Sequence, residues 1–166
     1  MGMSAETFWG GGEGNAAFIE RVRAQSGLPV STGASACRAA LEALGVRRIA
    51  AFSPYQPVAD RQVKRFFEEA GFDVVRITGL RCKSATAIAN VREDELRGVL
   101  RDLNGPDVDA IVQAGTNLSM VRLADEAERW LGKPVIAINA ATLWHALRAC
   151  GITDRFAGYG SLLREH

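Results

Sequence analysis

Apolar residues recur along this chain at two spacings. Short unbroken runs at 47–52, 72–77, 110–113 and 134–138 have the length and the branched or aromatic content of buried strands. Between them the spacing changes to that of amphipathic helices. Phe18, Ile19 and Val22 mark one face of 16–25, and 36–44 is alanine-rich. Val63, Phe66, Phe67 and Ala70 mark 58–70, and Leu96, Val99, Leu100 and Leu103 mark 93–103. Further helices are predicted over 118–131 and 141–149. Gly27, Gly45, Gly71, Gly132 and Gly151 each stand where a helix should stop. Asn15 is placed to cap the first helix, and Ser31 or Ser35 to lead the second. Residues 29–32 read as a short extended piece, and residues 1–14 as a loop that should follow a strand. The tail 156–160 is turn-rich and should pack onto the body.

Strand and helix alternate from residue 46 to residue 150. The expected fold class is therefore α/β: a Rossmann-like parallel sheet with helices on both faces. In such sheets ligands sit beyond the carboxyl ends of the strands. Three turns qualify, at 53–56, 115–117 and 139–140, and the loop at 2–7 is a fourth candidate. The turn Gly115-Thr116-Asn117 follows an apolar run and precedes a helical stripe. It gathers backbone N–H groups and small polar side chains, which suits a carboxylate. It also suits a tight turn at Gly115 with Asn117 as a helix cap, the commoner use of such residues.

Composition narrows the class without choosing among functions. A chain of 166 residues makes one ordinary domain with a core large enough to fold alone. Net charge is +1 and no block of like charges occurs, which argues against a nucleic-acid surface. No apolar run has the length of a membrane span, and the first residues lack the pattern of a signal peptide. Cys37, Cys82 and Cys150 are an odd number at wide spacing, which fits neither a disulfide framework nor a metal site. The expected setting is reduced and cytoplasmic. Gly10, Gly11, Gly12 and Gly14 do not complete a dinucleotide-binding pattern, because Asn15 stands where its last glycine belongs and no strand precedes them.

Several stretches taken in order resemble a known family. Leu44-Gly45-Val46-Arg47-Arg48-Ile49-Ala50 with Ser53-Pro54-Tyr55 resembles the second lobe of arylmalonate decarboxylases and maleate cis-trans isomerases, within the aspartate/glutamate racemase superfamily. Leu131-Gly132-Lys133-Pro134-Val135-Ile136 with Asn139, Leu143 and Trp144 is similar to the same lobe. So is the tail Gly158-Tyr159-Gly160, and Gly2 to Phe8 resembles the turn ending a first-lobe strand. The resemblance implies a two-lobe racemase-like architecture with the site between lobes. Residues 29–139 would be one α/β lobe, and residues 1–28 and 140–166 a partial remnant of the first lobe packed against it. Absence of the rest of that lobe would make the chain a truncated reading or a stand-alone second lobe, and the start in mid-loop favours truncation.

The resemblance also implies cofactor-independent decarboxylation or isomerisation of a small carboxylate, with no metal and no organic cofactor. A cradle of hydroxyl and backbone N–H groups would stabilise an enediolate. By matching position the cradle is Ser4, Tyr55, Gly115, Thr116 and Asn117, joined by Asn139. The family's chemistry uses cysteine, yet Gly115 occupies the second-lobe cysteine position and Gly2 the first-lobe one. Candidate proton-transfer groups are then Cys82, whose basic neighbours Arg81 and Lys83 should lower its pKa, and Glu6, if buried. Each has an ordinary alternative: Cys82 as a loop thiol, Glu6 as an exposed carboxylate, Tyr55 as loop packing, Asn139 as a helix cap. Cys37 and Cys150 read as small core residues, and His145 as packed or surface-exposed. A non-catalytic carboxylate-binding or assembly protein of the same fold is the alternative function. The expected partner is a small carboxylate; nucleic acid and membrane are not expected, and self-association is left open.

Overall fold

The computed structural model describes residues 4–166. A helical turn α1 (Ala5–Phe8) leads into α2 (Gly11–Ser26) and α3 (Gly33–Ala43). Strand β1 (Arg48–Ser53) follows, then α4 (Pro57–Glu69), β2 (Asp73–Gly79), the short α5 (Ala85–Ala89) and α6 (Glu93–Leu103). The chain finishes with β3 (Ala110–Gln113), α7 (Val121–Leu131), β4 (Val135–Ala137), α8 (Ile138–Ala149) and α9 (Ser161–Glu165). All three strand pairings are parallel and the order is β2-β1-β3-β4. The α/β sheet expected from the apolar pattern is therefore present.

The order has a consequence for function. From β1 the chain crosses one way to β2. It then returns past β1 to β3 and continues to β4. Right-handed crossovers in opposite directions put their helices on opposite faces. Accordingly α4 packs with α1 and α2, and α3 with α1 and α8, whereas α6 packs with α7. The reversal falls between β1 and β3, and their carboxyl ends open a crevice there.

The strands are short and buried because helices cover both faces. Ile49, Ala50, Ala51 and Phe52 of β1 and Ile111 and Val112 of β3 are inaccessible to solvent. Phe8, Phe66, Phe67 and Phe72 form a run of edge-on and tilted ring contacts under α4. Phe8, Leu162 and Leu163 lie in the same core as the strands.

Local expectations fail at four places. Residues 5–8 are helical and α2 begins at Gly11, so the loop expected over 1–14 holds only in part. The glycines there are packing devices. A Cβ at Gly11 would lie 2.2 Å from the Glu69 carboxylate, and one at Gly14 would lie 1.9 Å from the Trp9 carbonyl. Asn15 sits inside α2 instead of capping it. Its amide donates to the Thr7 carbonyl (2.8 Å) and the Thr32 hydroxyl (3.0 Å), while Ser35 donates to its oxygen (2.7 Å). Thr32, and neither Ser31 nor Ser35, caps α3 by accepting the Ser35 N–H. Finally, β4 ends at Ala137, so Ile138 and Asn139 already belong to α8.

Candidate functional site

The crevice at the β1/β3 reversal holds most of the residues singled out from the sequence. Ser4, Glu6, Tyr55, Gly115, Thr116 and Asn117 line one cavity of about 200 Å³, with Ala5, Pro54 and Ile88 completing it. That volume suits a molecule of a few heavy atoms, below the usual range for drug-sized ligands. Gly2 lies outside the described residues.

Each side of the crevice is set by buried polar contacts. After β1 the Ser53 hydroxyl donates to Asp60 on α4 (2.5 Å) and accepts the Tyr55 N–H (3.0 Å). Burial raises the Asp60 carboxyl above its usual range, against the opposing pull of Ser53 and Arg81. Asp60 fills the space a side chain at Gly79 would need, since a Cβ there would approach its carboxylate to 2.1 Å. The 80–82 loop donates its N–H groups to Ser53, Tyr55 and Pro54 carbonyls and clamps the turn from below. After β3 the buried Gln113 amide donates to the Gly115 carbonyl (2.7 Å), and Leu118 N–H closes the same turn (3.1 Å). On the third side, Thr7 donates to the Ser4 carbonyl (2.8 Å) and accepts the Ala34 N–H (3.3 Å), which pins Ser4 in place. Asp60 and Gln113 were not singled out from the sequence. Only their burial marks them, and burial is a tertiary property.

Ser4 joins the three sides. Its hydroxyl is hydrogen-bonded to the Tyr55 hydroxyl and accepts the Thr116 N–H (3.1 Å). Two hydroxyls that share one hydrogen bond keep one hydrogen over. Whichever of Ser4 and Tyr55 donates to the other, one O–H remains for a ligand in the cavity. Burial pushes the Tyr55 phenol up to about 12, although the Ser4 hydrogen bond opposes the shift. At neutral pH it is therefore a neutral donor. The backbone N–H groups of Gly115 and Asn117 make no hydrogen bond among the described residues.

Other expectations change. Asn117 does not cap α7, whose N-cap is Met120; its amide instead donates to the Ala85 carbonyl (2.6 Å). Asn139 does not cap α8. Its amide donates to the Thr116 carbonyl (2.9 Å) and it lines the neighbouring cavity. Glu6 is exposed, so it lacks the burial a tuned general base would need. Cys82 does not line the cavity. Partial desolvation, with Glu95 adding to it, raises its thiol pKa, contrary to the lowering expected from Arg81 and Lys83. Cys37 is buried as expected, but Cys150 is exposed. His145 is half-buried and bonded to the Ser31 hydroxyl (2.8 Å).

Gly115 has φ +129, and a Cβ there would lie 2.5 Å from Cδ and 2.7 Å from Cγ of Pro54. The ring of Pro54 thus occupies the space where a cysteine side chain would begin. Among the described residues no thiol lines the cavity, and no group of three His, Cys, Asp or Glu could hold a metal ion. No described helix is long and apolar enough to cross a membrane.

Comparison with known proteins agrees with this geometry. The family model for arylmalonate decarboxylase matches residues 1–163. The chain is 32% identical to an arylmalonate decarboxylase of Bordetella bronchiseptica, over 99% of this chain and 70% of that protein. It is 30% identical to a maleate isomerase of Pseudomonas putida, over 81% of this chain and 54% of that protein, so it spans about half that relative's length. A Nocardia farcinica maleate cis-trans isomerase bearing a covalently bound succinylcysteine intermediate superposes with TM-score 0.92 at 25% identity, over 98% of this chain and 69% of that one. A liganded arylmalonate decarboxylase variant gives TM-score 0.91 at 29% identity, over 98% and 71%. The chain belongs to the arylmalonate decarboxylase family.

Proposed function

We propose that the crevice binds a small carboxylate and promotes decarboxylation through an enediolate. The observation that carries this reading is the Ser4–Tyr55–Thr116 junction, which leaves one hydroxyl hydrogen facing a small cavity beside the Gly115 and Asn117 N–H groups. When CO2 leaves a malonate-type substrate, the bonding pair stays on carbon and spreads into the remaining carboxylate. Fixed donors aimed at those oxygens lower the barrier. The neutral phenol of Tyr55 suits that task. A proton then reaches the carbanionic carbon from water at the open mouth. Isomerisation by thiol addition is less well supported, since no described thiol lines the cavity. The test is CO2 release from 2-substituted malonates by the full chain. Turnover should fall roughly 10²-fold in Tyr55→Phe, the usual cost of one such donor. The reading is overturned if no malonate releases CO2.

A second reading, binding without turnover, rests on the Pro54 ring occupying the position of a side chain at Gly115. It expects malonate to raise the melting temperature while remaining unconsumed. No shift at any malonate concentration would remove it.

A further inference from the structure

We propose that Arg122 is a specificity-determining residue that recognises a second anionic group on the ligand. The inference rests on the carboxylate cradle described above. Thr116 and Asn117 line a second cavity as well, of about 570 Å³, together with Leu118, Met120, Asn139 and Tyr159. The two cavities therefore lie side by side at this turn, with Thr116 and Asn117 lining both. Two charged residues line the larger one, Glu93 and Arg122. Glu93 already has a partner, because Arg97 donates to it from Nε (3.1 Å) and Nη2 (2.6 Å). The Arg122 side chain has no ion pair or hydrogen bond among the described residues. Arg97 is shared with Glu126 (2.8 and 2.7 Å), and what Arg122 brings to the cavity is a planar group suited to two-pronged recognition of carboxylate or phosphate.

A ligand held by one carboxylate at Ser4 and Tyr55 can extend past Asn117 into this space. A second anionic group there meets Arg122. A single carboxylate with an apolar substituent leaves the guanidinium in water and gains nothing from it. Arg122 contributes to selection between these two kinds of ligand and leaves the cradle itself unchanged.

The test is calorimetric binding to the full chain with propionate, succinate and phosphoglycolate as probes, for wild type, Arg122→Gln and Arg122→Lys. Arg122 is exposed, so neither variant should disturb folding. Wild type should bind the doubly anionic probes about tenfold more tightly than propionate, an ordinary gain from a charge-assisted hydrogen bond. Arg122→Gln should bring that ratio close to one without weakening propionate, and Arg122→Lys should restore part of it. Whether succinate or phosphoglycolate loses more identifies the preferred second group. A wild-type ratio near one, or a ratio unchanged in Arg122→Gln, overturns the assignment to Arg122 alone. Failure of all three probes to bind wild type overturns the cradle and this inference together.

Discussion

At the scale of single residues, the site is defined by what Gly115 excludes. The residue is buried with φ +129, a region that side chains rarely adopt, and Pro54 stands where its Cβ would go. By resemblance Gly115 occupies a cysteine position, so Gly115→Cys would place a thiol there. In this structure it must first displace a proline ring held by a hydrogen-bonded turn. Gly115→Ala and Gly115→Cys should each destabilise the chain by about 1–3 kcal/mol, from backbone strain together with the close contact. A lowered urea midpoint with unchanged slope would check this. An unchanged midpoint would mean that Pro54 and the turn relax freely. Pro54 and Gly115 both stood in turns predicted from sequence, but their contact spans 61 residues of chain (54 to 115) and no local rule reports it.

At the scale of elements, the crevice depends on β1 and β3 staying in register. Asp109, just before β3, accepts the N–H groups of Arg47 (3.2 Å) and Arg48 (2.8 Å), and its other oxygen takes the Arg48 guanidinium (2.6 Å). These bonds tie the strands together at the ends remote from the site. The Arg48 side chain, followed by the backbone N–H groups, holds the Asp109 carboxyl down at about 2. A carboxyl lowered on folding contributes stability that is present above its unfolded value near 3.8 and is lost as pH falls through 2. Stability should therefore decline between pH 4 and pH 2, and Asp109→Asn should shallow that part of the profile. An identical acid limb in the variant would show that the clip contributes nothing; its surface exposure keeps the expected effect small.

The element boundaries show where local reading succeeds. The runs at 47–52 and 110–113 were found, the first one residue early against β1, because apolar stretches of that length need burial on both faces. The amphipathic α4, α6 and α7 were found from their stripes, with α7 beginning three residues later than expected. The turn from 116 to 120 stays non-helical because Thr116 and Asn117 are tied to Ser4, Asn139 and Ala85 across the crevice. Residues 5–8 gave no helical signal because four residues cannot display a period; packing of Phe8 against α4 orders them.

At the scale of the whole molecule, both chain ends enter the central core. Phe8 from the start and Leu162 and Leu163 from the finish are buried with the strands, and Asp125 and Glu128 of α7 hold the tail. Asp125 accepts the Gly160 N–H (3.0 Å), while Glu128 accepts the Ser161 N–H (2.7 Å) and hydroxyl (2.8 Å). Leu163→Ala should accordingly cost about 2–5 kcal/mol, the range for deleting a buried leucine side chain. The loss should appear as a lower midpoint of one cooperative transition, seen equally by far-ultraviolet dichroism and tryptophan fluorescence. An early separate phase would assign the tail to an independent unit.

Sequence alone determined the types and order of the main elements, because burial imposes a period of two or 3.6 on the residues that must face a core. It also marked Tyr55 and the Gly115–Asn117 turn, because strand ends in a parallel sheet are where backbone groups gather. Resemblance grouped Ser4 with Tyr55 and Thr116, but tertiary structure alone decided the hydrogen bonds that join them, across 51 and 112 residues. It likewise decided that Glu6 is exposed, that Cys82 lies outside the cavity and that Pro54 closes the space at Gly115. The physical reason is the strand order: reversal between β1 and β3 is set by the packing of helices on two faces, and no residue or its neighbours in the chain encode it.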